Sequence, residues 1–573
     1  MEPQEKTPKT GTPPTSNRSS FQTALKLLKW LAFAASLLVL ISLWSLLIYA
    51  RFNSQAVSER IPAISIGMLE MMTTGLVVLS GIWLVAILIW TLAGRWRWIL
   101  LPAVPLACIV MMVWASRHYR VVFNADMTPL RIESRDEQYQ LKPSEQQIAS
   151  ELTVGPTDFY RYLGPAQDLK VSWLSLHQTS AEDLEVLWRQ PIGYGWSGFI
   201  AVGDTGFTQE QQGPWECVTA YDLGSGELLW VHRDRHRHDE PMGGIGPRAT
   251  PTFHNGKLLT LGSLGTLNCL DATNGALLWQ VELTERFNIP VEVTNEGTEQ
   301  QIDQEKTNVL WGRSASPLVF QNQVIVPVGG IGKQMRSLVA FNLDNGEIIW
   351  EGGSEQVSYG SPVMGTLLGT PQILIVNESS VAGHDPATGK QLWSFYRNGN
   401  SGGGANTAQP VVVDDNKILL SKEYGLGGEL IEVKKDESDR WSAESLWKNP
   451  RVLKTKLTVP VLRGEYAYSI SSGYLECTHW PTGEKAWRGD RVQHGQLLLV
   501  DDQLLVMSED GRLLLVSTDP EDYQLLWEKE DLLDGRCWNM LCVVGNKLVA
   551  RSELEATCIL LPAKVRDTES KTD

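Results

Sequence analysis

Adjacent cysteines are absent from this 573-residue chain, as are C-x-x-C and C-x-x-C-H spacings, although seven cysteines are scattered along it. That argues against a zinc ribbon, a c-type haem and a dense disulfide framework, and reads Cys217, Cys269, Cys477, Cys537, Cys542 and Cys558 as core thiols. A G-x-S-x-G elbow and an H-E-x-x-H helix are also missing. No glycine-rich run follows a strand and opens a helix, so Ser401 to Gly404 reads as a flexible loop and not a phosphate cradle. Basic residues are scarce where nucleic acid would need them. The net charge is -16, and residues 1–120 hold eleven Lys/Arg against four Glu, or +7, so the rest of the chain carries -23. No nucleic-acid partner is expected for that part.

Long uncharged runs are confined to the N-terminal part, at 30–49, 74–93 and 98–116, each close to the length that crosses a bilayer. Trp30, Trp90, Trp96 and Trp98 stand where an interfacial belt would place them. A cleaved signal peptide competes for the first run, but the run is longer than an h-region and two more come after it. Lys6, Lys9, Arg18, Lys26 and Lys29 precede the first run, and Arg95 and Arg97 fill the turn between the second and third. The positive-inside rule puts both groups on the cytoplasmic side, so three crossings deliver the remainder of the chain to the outside. No run contains Asp, Glu, Lys, Arg or His, so a transport path has no visible part and the spans read as an anchor. The expected organisation is a disordered cytoplasmic tail (1–29), an anchor of three transmembrane helices (30–120), a linker (121–180), one repeat domain (181–563) and a disordered tail (564–573).

Glycine and tryptophan, by contrast, are plentiful, at 50 and 22. They recur together. Asp222, Gly226 and Trp230 are echoed by Asp271, Gly275 and Trp279, then by Asn342, Gly346 and Trp350, by Asp385, Gly389 and Trp393, and by His479, Gly483 and Trp487. Asp519 with Trp527 is a looser copy, and Trp188 and Trp447 close units without the upstream turn. The eight tryptophans are 42, 49, 71, 43, 54, 40 and 40 residues apart, a period that means a repeat architecture. In each D-x-x-x-G step the Asp bonds the backbone two residues on and the Gly supplies positive φ, which makes a tight turn between strands. Alternating runs such as 248–262, 314–329 and 409–421 supply further strands. Four short strands per unit, repeated radially, make a β-propeller blade; a β-solenoid would use shorter periods. The predicted fold is therefore all-β, an eight-bladed propeller preceded by three transmembrane helices. The segment at Trp188 lacks strands before it and the C-terminal end lacks a closing Trp, so pairing the two would complete the eighth blade.

The D-x-x-x-G-x-x-x-W unit resembles the tryptophan-docking motif of quinoprotein propellers. These include the pyrroloquinoline-quinone (PQQ) alcohol dehydrogenases and the propeller lipoprotein of the bacterial outer-membrane barrel-assembly machinery. The resemblance spans roughly 156–562 and includes the Asp158 to Pro165 lead-in. It implies a bacterial envelope protein, and with the three spans the expectation is an inner-membrane protein with its propeller on the periplasmic side. For the dehydrogenases it also implies Ca²⁺ held by Glu, Asn and Asp, a catalytic Asp and a ring of adjacent cysteines.

Aligning the units on the residue before each inner-strand proline places a set of side chains at the channel mouth. They are Arg248, Thr250, Arg313, Ser316, Tyr359, Ser361, Asn406, Gln409, Lys456, Thr458, His494, Gln496, Trp538 and Asn539. The loops feeding these positions vary most, at 232–240, 292–306 and 401–406, and loops on a rigid scaffold are where binding concentrates. Arg248, Arg313 and Lys456 on an acidic body suggest an anionic ligand or a partner's carboxylates; equally, they could be channel residues paired with neighbouring acids. His232, His236 and His238 stand among Arg and Asp with no second cluster, and read as a solvated loop with no metal. None of the aligned positions is Asp or Glu, and Asn406 and Asn539 alone cannot hold a hard dication. The reading is thus a membrane-anchored scaffold for an envelope protein or anionic ligand, without cofactor or catalytic residues. The alternative is a PQQ- and Ca-dependent alcohol or sugar dehydrogenase.

Overall fold

The computed structural model describes residues 151–563 except 178, 241–242, 296–300, 306–308 and 401–403, together with 110, 114, 119–123 and 129–134. The chain divides into two compact units, 1–119 with 126–131 and 120–125 with 132–573. Apart from Val110 and Trp114, the three runs read as membrane spans lie outside the described residues, as do both tails. No helix among the described residues is long and apolar enough to cross a membrane.

The second unit holds eight antiparallel blades, each of four strands in meander order. Blade 1 consists of Ile200–Val202, Thr205–Gln212, Trp215–Asp222 and Leu228–Asp234. Blades 2 to 7 occupy 252–282, 318–352, 363–396, 411–449, 461–491 and 496–529. Blade 8 combines Cys542–Val544, Lys547–Arg551 and Glu555–Leu560 with Glu185–Pro191 from the start of the domain, Trp188 pairing with Cys558. The ring closes as the unpaired ends of the repeat predict, which removes the open edge between first and last blades. Within a blade the middle strands are buried on both faces. Gln503–Met507 is buried at every position, whereas outer Leu525–Lys529 is buried only at Trp527.

The tryptophans of the outer strands form the seams. Trp188, Trp230, Trp279, Trp350 and Trp447 each lie against the turn glycine of the next blade, namely Gly226, Gly275, Gly346, Gly389 and Gly483. These glycines have φ of 80°, 72°, 71°, 70° and 71°, and a Cβ on any of them would run into the ring. The repeat thus needs glycine twice over, for the left-handed turn and as a floor for the neighbour's indole. Most of these indoles also donate to a carbonyl of the next blade: Trp188 to Leu223 O (2.9 Å), Trp230 to Ala272 O (3.1 Å), Trp279 to Leu343 O (3.0 Å) and Trp447 to Trp480 O (3.0 Å). The looser copies are compensated locally. Trp487 meets Tyr523 (5.5 Å between centroids) where blade 7 lacks the glycine, and Trp393 donates to Gln372 Oε1 of its own blade (2.7 Å). Trp527 donates to Thr179 Oγ1 (3.2 Å) of the segment ahead of the ring.

That segment, inside the stretch read as a linker, crosses one end of the channel. Phe159 exchanges backbone hydrogen bonds with Ala201 of blade 1, and Tyr160 O accepts from Phe253 N–H of blade 2 (2.9 Å). Gln167 Oε1 accepts from Met364 N–H of blade 4 (3.1 Å). Lys170–Val171 then adds a parallel fifth strand to the inner edge of blade 7, and Trp173 Nε1 donates to Gly545 O of blade 8 (3.1 Å). Phe159 and Leu174 are fully buried. Residues 157–173 therefore run across one end of the channel, opposite the mouth where the inner strands begin.

Candidate functional site

The mouth is built on a belt of side chains that tie neighbouring blades together. Gly198 N–H donates to Thr250 Oγ1 (3.0 Å), Thr250 N–H to Ser316 Oγ (2.9 Å) and Ser316 N–H to Ser361 Oγ (2.9 Å). Thr407 Oγ1 donates to Lys456 O (2.6 Å), Gln496 Nε2 to Leu457 O (3.1 Å) and Trp538 O (2.7 Å), and Asn539 Nδ2 to Ser197 O (2.9 Å). Asn406 Nδ2 donates to Glu378 O (2.8 Å), while Gln409 Oε1 accepts from the Tyr162 hydroxyl of the lead-in segment (3.5 Å). Thr458 is buried beside them. Most of the polar atoms at these positions are thus engaged in bonds between neighbouring blades.

Above the belt lies an arc of aromatic and cationic side chains. Trp538 of blade 8 and Trp196 of blade 1 have ring centroids 4.4 Å apart. The Arg536 guanidinium lies 4.7 Å from the Trp196 ring and 4.6 Å from Trp538, and Arg536 Nε donates to Glu553 Oε1 (3.0 Å) in a buried ion pair. Gly244 borders Trp196 and Arg536, and its neighbour Gly243 borders Arg248 and Trp311. The Arg248 guanidinium donates to the carbonyls of Gly243 and Gly244 (both 3.0 Å) and of Gly246; burial pushes its pKa down to about 10. Trp311 stacks on Tyr359 (5.3 Å), Tyr424 packs in the same cluster, and Lys456 lies 5.8 Å over the Tyr424 ring.

The arc thus unites Arg248, Tyr359, Lys456 and Trp538 from the predicted set. Two others are placed elsewhere. Buried Arg313 donates to Pro327 O (3.2 Å) and Val328 O (2.9 Å) of its own blade, and His494 is enclosed, its N–H donating to Glu509 Oε2 (3.0 Å). Sequence alignment misses Trp196, Trp311, Arg536 and Glu553. Trp196 stands two residues before Gly198 just as Trp538 stands two before Met540, but blade 1 carries no inner-strand proline to align on.

The histidine loop is a correction. Arg237 and His238 are buried, not solvated. His232 Nε2 lies 3.4 Å from Asp234 Oδ1, and Asp234 in turn accepts from Asn268 (2.7 Å) and Gln280 (2.9 Å) of blade 2. The loop is a seam between blades 1 and 2. All six described cysteines are buried and unpaired, and burial pushes the Cys269 and Cys477 thiols up to about 12, against any reactive role.

Lys422 borders the mouth loops with only 3% exposure, its ammonium donating to Asn398 O (2.8 Å) and Gly404 O (2.7 Å). Burial, aided by the charge of Arg397, pushes its pKa from 10.5 down to about 8. Between those values the unfolded chain keeps a proton that the folded chain has lost, so folding stability rises with pH, by up to about 3 kcal/mol. Urea unfolding of wild type and Lys422→Met from pH 7 to 10.5 is expected to show this rise in wild type alone. An unchanging difference between the two would refute it.

The aligned positions offer no carboxylate, the Asn406 and Asn539 amides point their N–H groups into carbonyls, and the Trp196 and Trp538 rings close on each other at 4.4 Å.

The sequence family described as outer membrane protein assembly factor BamB matches residues 216–489 and 377–536. The BamB of Alkalilimnicola ehrlichii is 27% identical over 218 residues, 35% of this chain and 50% of that protein; the chain thus spans about half the length of this curated relative. Among solved structures, the quinohemoprotein alcohol dehydrogenase of Comamonas testosteroni superposes with a TM-score of 0.51 at 13% identity, covering 72% of this chain and 82% of its own. BamB of Moraxella catarrhalis gives 0.46 at 16% identity over 66% and 99%. The dehydrogenase likeness shows the fold alone.

Proposed function

We propose a scaffold role for this chain, which belongs to the family of outer membrane protein assembly factor BamB. The propeller docks an envelope protein through its mouth-side loops, outside the cytoplasm, while the three N-terminal spans hold it in the bacterial inner membrane. It works without PQQ, calcium or a catalytic residue. The observation that carries this reading is the arc. Five aromatic rings and the cations Arg248, Lys456 and Arg536 crown a belt whose polar atoms already bond between blades, over a channel crossed at its other end by the lead-in segment. Aromatic and arginine side chains on a rigid face are what interface hot spots are made of, and the acidic body around them favours a partner segment whose carboxylates meet the arc.

Site-specific photocrosslinking in the intact envelope tests it. A crosslinker replacing Trp311 or Tyr424 is expected to capture a discrete protein, and one replacing Tyr396, 73% exposed on an outer strand, is not. Lys456→Ala is expected to weaken capture at least tenfold, roughly the 1.4 kcal/mol of a hot-spot contact. Capture from Tyr396 alone, or dye reduction by the purified chain with PQQ and Ca²⁺, would overturn the proposal.

A further inference from the structure

At the end opposite the mouth, away from the arc, the lead-in segment runs along blade 7 past His177. There His177 Nε2 lies 2.7 Å from Asp502 Oδ1, across 325 residues of sequence. One ligand atom each from His177, Asp501 and Asp502 falls within 4.8 Å of the others, and among the described residues this is the one such grouping of His, Cys, Asp and Glu. Backbone pairing fixes the approach. Asp501 N–H donates to Val171 O (2.8 Å), so the fifth strand carries the turn holding both carboxylates up to the imidazole. Arg463 Nη2 lies 3.4 Å from Asp502 Oδ2, which orients that carboxylate with Oδ1 toward His177.

We propose that His177, Asp501 and Asp502 bind a borderline divalent transition metal, Zn²⁺ above all, and that the ion staples the lead-in segment to blade 7. One imidazole and two carboxylates are a Zn²⁺ donor set, with metal–ligand lengths of about 2.0–2.2 Å. Tetrahedral ligands at that length stand about 3.3 Å apart, and the three atoms here lie within 4.8 Å of one another, so small rotations of half-exposed side chains complete the site. Calcium and magnesium prefer all-oxygen shells and do not select the imidazole. Arg463 offsets one of the two carboxylate charges and serves as an outer hydrogen-bond partner to a ligand. Three protein ligands leave a position for water, so the ion exchanges and its level sets how firmly the segment is held. Since metal binds only the docked segment, it stabilises that state by mass action.

The test uses the tag-free full chain in detergent, stripped of metal. Zn²⁺ titration calorimetry is expected to show one equivalent, with affinity lowered at least tenfold in His177→Ala and in Asp502→Asn and unchanged in His236→Ala. Chelation is expected to speed proteolysis between residues 172 and 184 in wild type and to change nothing in the two variants. Absence of binding at millimolar Zn²⁺, or equal affinity in His177→Ala, overturns the site and leaves a plain His–Asp hydrogen bond. Should either variant lose the wild-type circular dichroism, Co²⁺ bound to wild type decides. A spectrum of an imidazole-bearing four- or five-coordinate ion supports the site, and that of a six-oxygen ion overturns it. None of these outcomes depends on whether the mouth docks a partner.

Discussion

Trp230→Ala is expected to destabilise the ring by about 3–5 kcal/mol, the range for emptying a large aromatic site in a core. Trp230 is 7% exposed, donates to Ala272 O and sits 5.9 Å from Phe207, so its loss opens a cavity and strands a carbonyl at the seam between blades 1 and 2. Gly275→Ala attacks the same seam from the other side. It forces a Cβ into the indole at a φ of 72°, with an expected loss of about 2–3 kcal/mol. Because removing the indole relieves that clash, the double variant should lose clearly less than the sum. Guanidinium unfolding followed by circular dichroism, with Tyr396→Ser as an exposed control, measures all three. Additive losses would show that ring and glycine do not form one joint.

This joint explains what could be read from the residues alone. A motif of Asp, Gly and Trp at fixed spacing encodes both a local turn and the surface that the next blade presents, so blade number and ring closure arise from periodicity. The lead-in segment carries no such signature. Its bonds to the ring run through backbone groups and through side chains at no repeated spacing, Asp158, Tyr162, Gln167, Trp173, His177 and Thr179, and it therefore reads as a linker. The mouth is legible by layer but not by atom. Thr250, Ser316 and Ser361 align with Arg248 and Tyr359 as channel residues, yet hydroxyls that accept a neighbouring blade's N–H look the same in sequence as hydroxyls awaiting a ligand. Arg313 sits at the aligned position too, but its guanidinium finds carbonyls in its own blade. The loop at 232–240 looks solvated because it is charged; it is buried because Asp234 finds Asn268 and Gln280 across a seam.

Glu553→Gln is expected to destabilise the chain by about 3–5 kcal/mol, the usual loss when one partner of a buried ion pair is removed. The Arg536 and Glu553 side chains are 3% and 2% exposed, and the guanidinium lies beside the Trp196 and Trp538 pair, 4.7 and 4.6 Å from their centroids. The variant leaves the arginine charged, out of water, with two π faces as its remaining counter-charge. A desolvated cation–π contact contributes about 2 kcal/mol, less than the loss expected from removing the carboxylate. Replacing both partners, as Arg536→Met with Glu553→Leu, removes the desolvation penalty along with the attraction, and should recover most of the stability. It should not recover docking. If the arc is the partner's surface, the double variant folds but loses photocrosslinking from Trp311 as surely as Lys456→Ala does, because the cation beside the indoles is gone. A Glu553→Gln chain as stable as wild type would mean that the buried Arg536 charge does not depend on the carboxylate.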